Sequence, residues 1–307
     1  MDKKFRELCS AMILLTAALV MAFSPDAYVP MLARAFLVPA AVVFAGIAVV
    51  SAWRRKWWVV QSAVVGCAIM ALQVHMPFTK ANGEVGPDLR VFHMNVLQPN
   101  TAFDAAINEA LRSDADVISV QEVGPEWACA LREGLQAEYP YTHVEERTNC
   151  YGIALFSKLP FNSVRTIVLR GAPFIEAFVT VQGRSVRLLA VHATSPISYR
   201  HFRRRNEQLG RLGEYLAHDD MATVLVGDLN TVPWDGSFRR FCARSGLTST
   251  TPLLQRTWPS VGPFAAIPLD HVLISPSIRP SALHTVNVPG SDHRGLIADL
   301  HFAAHAQ

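Results

Sequence analysis

Three long uncharged segments at the start of the chain limit what it can fold into. They are 8–23, 35–53 and 57–78, with 16, 19 and 22 residues. A membrane-spanning helix needs about 20 largely apolar residues, so the second and third segments are long enough. The first becomes long enough when Phe5 is included. We predict three transmembrane helices, at about residues 5–23, 34–53 and 57–78.

The first segment has an alternative interpretation as a cleaved signal peptide, because Lys3, Lys4 and Arg6 precede it. The next residues, Ser-Pro-Asp at 24–26, contain no clean small-x-small cleavage site. A buried soluble helix pair is disfavoured, since three consecutive apolar segments need a larger core than this chain can build.

Basic residues indicate the orientation. They lie before the first segment and between the second and third, at Lys3, Lys4, Arg6, Arg54, Arg55 and Lys56. The intervening loop, residues 24–30, carries only Asp26. Short basic loops stay in the cytoplasm, so everything after Phe78 is predicted to lie outside, on the inner or plasma membrane. In that compartment, a disulfide between Cys129 and Cys150 is one hypothesis.

Charge divides the chain into the same two parts. Residues 1–82 hold eight Lys and Arg and three Asp and Glu, a net charge of +5. Residues 83–307 hold 20 Lys and Arg and 22 Asp and Glu, a net charge of −2. We therefore predict two domains with these bounds. The formal +3 of the whole chain therefore belongs to the apolar end, which disfavours a strongly basic nucleic-acid-binding domain.

The second domain alternates between apolar segments typical of strands and segments with helical spacing. Predicted strands lie at 89–96, 116–120, 151–156, 177–181, 186–191, 222–226, 270–274 and 296–302. Predicted helices lie at 104–112, 124–136, 199–216 and 237–245. This order indicates an α/β fold in which two sheets pack face to face with helices outside.

Polar side chains stand at the ends of these strands, where α/β enzymes build their sites. They are Asn95, Gln121-Glu122, His192, Asp228 with Asn230, Asp270, and Ser291-Asp292-His293. Taken singly, Asp228 would form an ordinary turn, and Glu122 would cap the next helix. His192 would be a hydrogen-bonded residue at the margin of a sheet. Taken together, carboxylates and carboxamides without zinc-type Cys/His spacing suit Mg²⁺ or Mn²⁺ and phosphoryl chemistry.

The order of these motifs resembles the endonuclease/exonuclease/phosphatase superfamily, which includes deoxyribonucleases, abasic-site endonucleases, inositol-polyphosphate phosphatases and sphingomyelinases. The resemblance covers about residues 88–302 and leaves the membrane segments outside. It implies a four-layer α/β sandwich of two mixed sheets flanked by helices. Together with the apolar N-terminal segments, it implies a membrane-tethered phosphoric ester hydrolase with Mg²⁺ or Mn²⁺ as cofactor.

The resemblance implies a metal site in which Glu122 is the principal ligand, with Asn95 and Asp292 around the same ion. Where some relatives carry a second acid, this chain has Val96-Leu97, so the metal has one ligand fewer. Glu176 stands where deoxyribonucleases tend to have an arginine, which weakens the DNA interpretation.

The resemblance also implies the catalytic roles. Asp228 would orient and deprotonate the attacking water, and Asn230 would hold a phosphate oxygen. His293 would contact the scissile phosphate with its ring oriented by Asp270. His192 would assist the leaving oxygen.

Substrate contacts are less specific in the sequence. The segment 199–211 contains Arg200, Arg203 and Arg204, which form either a solvated helix face or a clamp for phosphate. Trp234 and Trp258 either line the cleft or belong to the core. His271 is expected to be a bystander.

Three functions stay open at this point: hydrolysis of nucleic acid, hydrolysis of a phospholipid or lipid-linked phosphate, and an inactive scaffold. The complete set of site residues disfavours the scaffold. The partner we expect is therefore a phosphodiester substrate, and no protein partner can be deduced.

Overall fold

The structure is a computed structural model that describes residues 2–74, 86–217, 219–250, 255–261 and 264–302. The chain divides into two compact units. One comprises Met1–Met76 with Val232–Arg239, and the other comprises Pro77–Thr231 with Arg240–Gln307. The boundary that we place between residues 82 and 83 lies outside the described residues, and so does the end of the third predicted membrane helix, 75–78.

The N-terminal helices are α1 (Lys3–Phe23), α2 (Tyr28–Ala35), α3 (Leu37–Trp53) and α4 (Trp57–Val74). By length and composition, α1 and α4 can each cross a membrane. The pair α2 and α3 passes the same test together but is bent by 60° at its break. The described residues therefore contain two candidate spans, or up to three if the bent pair counts as one.

The sequence predicts one helix over 34–53, but the structure breaks it at Phe36 and adds α2 before it. A continuous helix would need the backbone N–H of residue 39 to donate to the Ala35 carbonyl. Pro39 has no N–H, and its ring crowds that carbonyl. As the third residue of α3, Pro39 instead fits a first helical turn, where the N–H is not needed.

The second unit contains two six-stranded sheets and a hairpin. In chain order, the strands are β1 (Leu89–Asn95), β2 (Val117–Gln121), β3 (Tyr141–Glu145), β4 (Ile153–Ser157), β5 (Phe161–Leu169), β6 (Ala172–Val181), β7 (Arg184–Ala190), β8 (Ala222–Asp228), β9 (Thr248–Ser249), β10 (Trp258–Val261), β11 (Phe264–Ile267), β12 (Asp270–Ile274), β13 (Ile278–Asn287) and β14 (Arg294–Phe302). The first sheet has the order β13-β14-β1-β2-β4-β3, and the second has β5-β6-β7-β8-β12-β9. Both are mixed, with β1–β2 and β7–β8 as parallel pairs.

Helices cover both outer faces. They are α5 (Phe103–Arg112), α6 (Pro125–Leu135), α7 (Tyr199–Leu216) and α8 (Gly236–Ser245). Side chains alternate along β1, so Val91 joins the core between the sheets while Phe92 packs with Trp127 of α6. On the other side, Phe241 of α8 packs against Gly213 of α7. The predicted four-layer sandwich is confirmed.

The sequence prediction omits six strands: β3, β5, β9, β10, β11 and β13. Four of them are the edges of the two sheets, and β10 and β11 form the separate hairpin. An edge strand has one neighbour and is partly exposed, so it lacks the continuous apolar segment that marks a central strand. In β5, for example, exposed and half-buried residues are mixed without strict alternation.

Gln121 joins the two sheets at one edge of the sandwich. It ends β2, its Nε2 donates to the Val191 carbonyl at 2.7 Å, and its Oε1 accepts from the Asp228 N–H at 2.9 Å. Gly227 has a φ of 149°, and a Cβ there would overlap the Val191 carbonyl and the Gln121 amide. The close approach of these chain segments therefore requires glycine before Asp228.

We expect Gly227→Ala to lower the free energy of unfolding by roughly 2–4 kcal/mol, because the added methyl meets backbone that cannot move away. Thermal unfolding of the full-length protein in detergent measures the change. Gly210→Ala is the matched control, since a methyl group added to that helical glycine would meet no atom within 4 Å. It should be neutral or raise stability by up to about 1 kcal/mol. Equal effects of the two substitutions would contradict the packing argument.

Candidate active site

Three strand ends turn sharply at residues in the left-handed region. Leu97 follows β1 with a φ of 59°, Glu122 follows β2 with 65°, and Asn230 follows β8 with 49°. Residues other than glycine rarely adopt this conformation, which costs about 1–3 kcal/mol and persists where the surroundings impose it. The strained turns lie beside the polar residues singled out from the sequence.

Asp228 serves both its own turn and a cluster of polar groups. Its Oδ1 accepts from the Asn230 N–H at 2.8 Å, which is the ordinary turn that the sequence permits. Its Oδ2 lies 3.4 Å from Asn95 Nδ2, 3.7 Å from His192 Nε2 and 3.8 Å from His293 Nε2. One buried carboxylate therefore meets residues from three distant parts of the chain.

Glu122 faces the same cluster. Its Oε1 accepts from Asn95 Nδ2 at 3.1 Å, and its Oε2 accepts from the Gln98 N–H at 3.0 Å. The alternative role, capping α6, is wrong, because Gly124 is the N-cap residue and no side chain caps that helix.

Asp292 lies on a loop that is bound to the end of β1. The Ser291 hydroxyl donates to the Asn95 carbonyl at 2.7 Å. The Trp258 indole donates to Asp292 Oδ2 at 2.8 Å, while Oδ1 is buried and has no hydrogen-bond partner among the described residues. A buried carboxylate oxygen without a donor is costly unless a cation satisfies it.

The oxygen donors at this edge fit a hard divalent cation. They come from Asn95, Glu122 and Asp292, to which Asp228 adds a carboxylate. Asp228, Asp270 and His293 also offer ligand atoms within 4.8 Å of one another. Because both Asp270 oxygens already accept from imidazoles, we assign Asp270 to the histidines instead.

Asp270 lies between two imidazoles. His93 Nε2 is 2.7 Å from one of its oxygens, and His293 Nδ1 is 2.9 Å from the other. All three side chains are buried. Sequence reasoning missed His93; the only available signal is a histidine inside an apolar strand, two residues before Asn95.

Burial and the charges of neighbouring groups shift the pKa values of the cluster in opposite directions. Burial, with the Asp270 charge, raises the pKa of Asp228 to about 8. Burial would raise the pKa of Asp270, but the His293 charge and hydrogen bonds from His293 and His93 hold it well below its usual range. Burial opposes the charge of His293, yet Asp270 raises its pKa to about 10. Burial and the His293 charge lower the pKa of His192 to about 3. At neutral pH His293 is therefore charged and His192 is neutral.

A comparison with models of protein families identifies the family of this chain. The model of the Endonuclease/Exonuclease/phosphatase family matches residues 91–293, about two thirds of the chain. The chain belongs to this family. Members of the family hydrolyse phosphoesters. A comparison with curated proteins gave no match.

Solved structures of the family share the fold at low sequence identity. The human nocturnin catalytic domain with bound sulfate has a TM-score of 0.58 and 18% identity over 70% of this chain and 94% of its own. D. rerio TDP2 complexed with single strand DNA product has a TM-score of 0.57 and 17% identity over 69% of this chain and 98% of its own. Sphingomyelinase C from Streptomyces griseocarneus has a TM-score of 0.52 and 19% identity over 68% of this chain and 98% of its own.

The arginines of α7 have different surroundings. Arg200, Arg203 and Arg204 line a cavity of their own beside the first turns of the helix. Arg205 is fully buried, and its Nη1 donates to the Asn230 carbonyl at 2.9 Å. Sequence reasoning missed Arg205 because nothing in a run of charged residues marks the one that turns inward.

The remaining residues singled out from the sequence take different places. The Trp258 ring centroid lies 6.4 Å from that of His293, so this tryptophan lines the site. Trp234 is buried. His271 is buried and its Nε2 donates to the Thr231 carbonyl at 2.8 Å. Cys129 and Cys150 are both free thiols, without the disulfide that was one hypothesis.

The Glu176 carboxylate is surrounded by side chains that pair with it. It is fully buried on β6, where it accepts from Arg165 and from the Tyr215 hydroxyl, both at 2.7 Å. Arg187 lies 3.2 Å away. The carboxylate is therefore neutralised within the second sheet and α7, and the argument that it weakens the DNA interpretation stays a prediction.

We expect a divalent ion to displace a proton from Asp228 on binding, because the raised pKa keeps this group protonated at pH 7. Titration calorimetry of full-length protein with Mn²⁺, in buffers of different ionisation enthalpy, counts the protons. About one should leave per ion at pH 7, and fewer at pH 9, where the group is already ionised. Asp228→Asn should abolish the release. A heat that is independent of the buffer in the unsubstituted protein would contradict this assignment.

Proposed function

We propose that this chain is a membrane-anchored, divalent-metal-dependent phosphodiester hydrolase of nuclease type that acts outside the cytoplasm. The observation that carries the proposal is the position of Asp228 Oδ2. It lies within 4 Å of the charged His293, the neutral His192 and the Asn95 amide. A base, a charged donor and a neutral donor around one point are what hydrolysis of a phosphodiester needs.

Each residue has a role that its surroundings support. Asp228, in its ionised form, accepts a proton from the attacking water, and its raised pKa suits a base near neutral pH. His293, held charged by Asp270, neutralises charge on a phosphate oxygen. His192 is neutral and donates an N–H to the leaving oxygen. Asn230 donates one amide N–H to the Ala193 carbonyl at 3.0 Å, which leaves its second N–H for a phosphate oxygen.

Glu122, Asn95 and Asp292 would hold Mg²⁺ or Mn²⁺. When bound, the ion would supply positive charge to the phosphate oxygens, which lowers the free energy of a transition state that is rich in negative charge. The buried Asp292 oxygen without a donor supports this placement.

The anchoring rests on the candidate spans α1 and α4 and on the bent pair α2 and α3. The extracytoplasmic orientation rests on the basic residues near Lys3 and Arg54, which favour the cytoplasmic side.

Two substrate classes have support. The similar fold of TDP2, whose structure holds a single strand DNA product, favours nucleic acid. The apolar helices and the similar fold of sphingomyelinase C favour a phospholipid or lipid-linked phosphate as the second candidate. The inactive scaffold has the least support, because the side chains of the site form a connected set of hydrogen bonds and ion pairs.

Assays of the full-length protein in detergent with single-stranded DNA, RNA and labelled phospholipids test the activity. We expect turnover that needs Mg²⁺ or Mn²⁺ and disappears with a chelator. Asp228→Ala and His293→Ala should lower kcat at least about a hundredfold, because each removes a group that contacts the reacting atoms.

The melting temperature of Asp228→Ala should change little, and His284→Ala, an exposed histidine on β13, should keep full activity. Loss of folding in both site variants would instead indicate a structural role. Absence of turnover on every phosphodiester would favour the scaffold.

The topology has a separate test. A phosphatase reporter that is active only outside the cytoplasm, fused after Phe302, should show activity in intact cells. The same reporter fused after Arg54, in the short basic turn, should be inactive. An inactive reporter after Phe302, together with an active one after Arg54, would reverse the proposed orientation.

A further inference from the structure

A cavity of about 480 Å³ lies beside the first two turns of α7 and has no role in the chemistry above. It is lined by Arg170, Tyr199, Arg200, Arg203, Arg204 and Glu207. Its volume falls within the range of small-molecule sites, about 300–1,000 Å³. The lining is polar and mainly cationic.

Local geometry builds this cavity. The helical residues at positions 199, 200, 203 and 204 recur at the spacing of one helix side. Arg170 comes from the tight turn between β5 and β6, with a φ of 52°, and is followed by Gly171 with 83°. A Cβ at Gly171 would lie 2.9 Å from Arg204 Nη2, so glycine leaves room for that guanidinium. The hairpin turn and the helix therefore hold their arginines side by side.

The positive charge of the cavity is only partly balanced. Its single carboxylate, Glu207, pairs with Arg170 at 2.8 Å and with Arg211 at 3.5 Å. In the part of the chain that the structure describes, neither Arg200 nor Arg203 has a carboxylate partner. The helix also lacks an acidic residue in its first turn, where the macrodipole adds positive potential.

Arg204 gives an independent indication that an acceptor is missing. Its Nε is buried and has no hydrogen-bond partner among the described residues. A buried guanidinium N–H without an acceptor is costly, and an anion in the cavity would satisfy it.

Arg204 also connects the cavity to the catalytic cluster. Its guanidinium lies over the Tyr151 ring at 5.2 Å from the centroid. The Tyr151 ring lies 6.0 Å from that of His192, whose Nε2 is 3.7 Å from Asp228. One aromatic side chain therefore separates the arginines from the histidine that we assign to the leaving oxygen.

We propose that this cavity binds a second phosphate group of the substrate, so that the preferred substrate carries at least two phosphates. Guanidinium forks match phosphate oxygens in geometry and charge. The proposal rests on the proposed function, because it takes the scissile phosphate to lie at Asp228 and His293. The second phosphate belongs either to a nucleic-acid strand or to a phosphorylated lipid headgroup, and both present the same chemistry to the arginines.

Kinetics on matched substrate pairs test the proposal and identify the source of the phosphate. The pairs are the dinucleotide TpT against its 5′-phosphorylated form pTpT, and phosphatidylinositol against phosphatidylinositol 4-phosphate in mixed micelles. The full-length protein with Mg²⁺ should show a kcat/KM about tenfold or more higher on the member with two phosphates, in one of the two pairs. A ratio near one in both pairs overturns the proposal.

The double variant Arg200→Gln and Arg203→Gln should bring that ratio to about one, whereas Arg211→Gln should leave it unchanged. Arg211 is the matched control because it lies on the same helix, loses the same charge and does not line the cavity. An unchanged ratio in the double variant would show that these arginines do not contact the second phosphate.

Binding without turnover separates this proposal from the proposed function. Thymidine 3′,5′-bisphosphate is titrated into the full-length protein with a chelator present, so that no metal-dependent hydrolysis contributes. The unsubstituted protein and Arg211→Gln should bind it equally, and the double variant about tenfold or more weakly. Equal binding by all three proteins overturns the cavity assignment even if hydrolysis is found. Weaker binding by the double variant supports it even if no phosphodiester is hydrolysed.

Discussion

The buried carboxylate of Asp270 organises the edge of the sandwich where the candidate site lies. Asp270 begins β12 in the second sheet, and it accepts from His93 and His293 of the first-sheet side at 2.7 and 2.9 Å. A buried charge is stable only when it is paired and each of its oxygens is satisfied, so the two sheets must be correctly placed for Asp270 to be ionised at all. In turn, burial and the charge that Asp270 keeps on His293 lower the pKa of His192 and hold it neutral. The protonation pattern is therefore a consequence of how the sheets meet.

The topology explains why the polar residues meet at this edge. Each sheet contains one parallel pair, β1 with β2 and β7 with β8. The carboxyl ends of both pairs reach the same edge, because Gln121 at the end of β2 bonds the Val191 carbonyl after β7 and the Asp228 N–H at the end of β8. Side chains that follow four central strands are thereby gathered at one place, as in other α/β folds. Between the sheets, away from this edge, the core is apolar.

Much of the fold and part of the site can be predicted from the sequence, and the limits have physical causes. Central strands such as β2 and β8 are buried on both faces and form continuous apolar segments, whereas edge strands such as β5 do not. Residues at strand ends are visible because their polarity interrupts an apolar pattern. His93 was not found because its role depends on Asp270, 177 positions away in the chain. Arg205 was not found because its contact with Asn230 depends on which side of α7 faces the sheet.

One helix connects the candidate active site with the arginine-lined cavity. Arg205 faces inward from α7 and holds the Asn230 carbonyl, while Arg200 and Arg203 face the cavity. Arg204 lies between these directions and stacks on Tyr151. A buried arginine on one side of a helix limits how the helix can rotate, because its hydrogen bonds fix the orientation of that side. The position of the cavity arginines is therefore determined by the same contact that supports the turn at Asn230. A phosphate bound in the cavity would be held at a fixed distance from Asp228, which is the condition for one substrate to occupy both places at once.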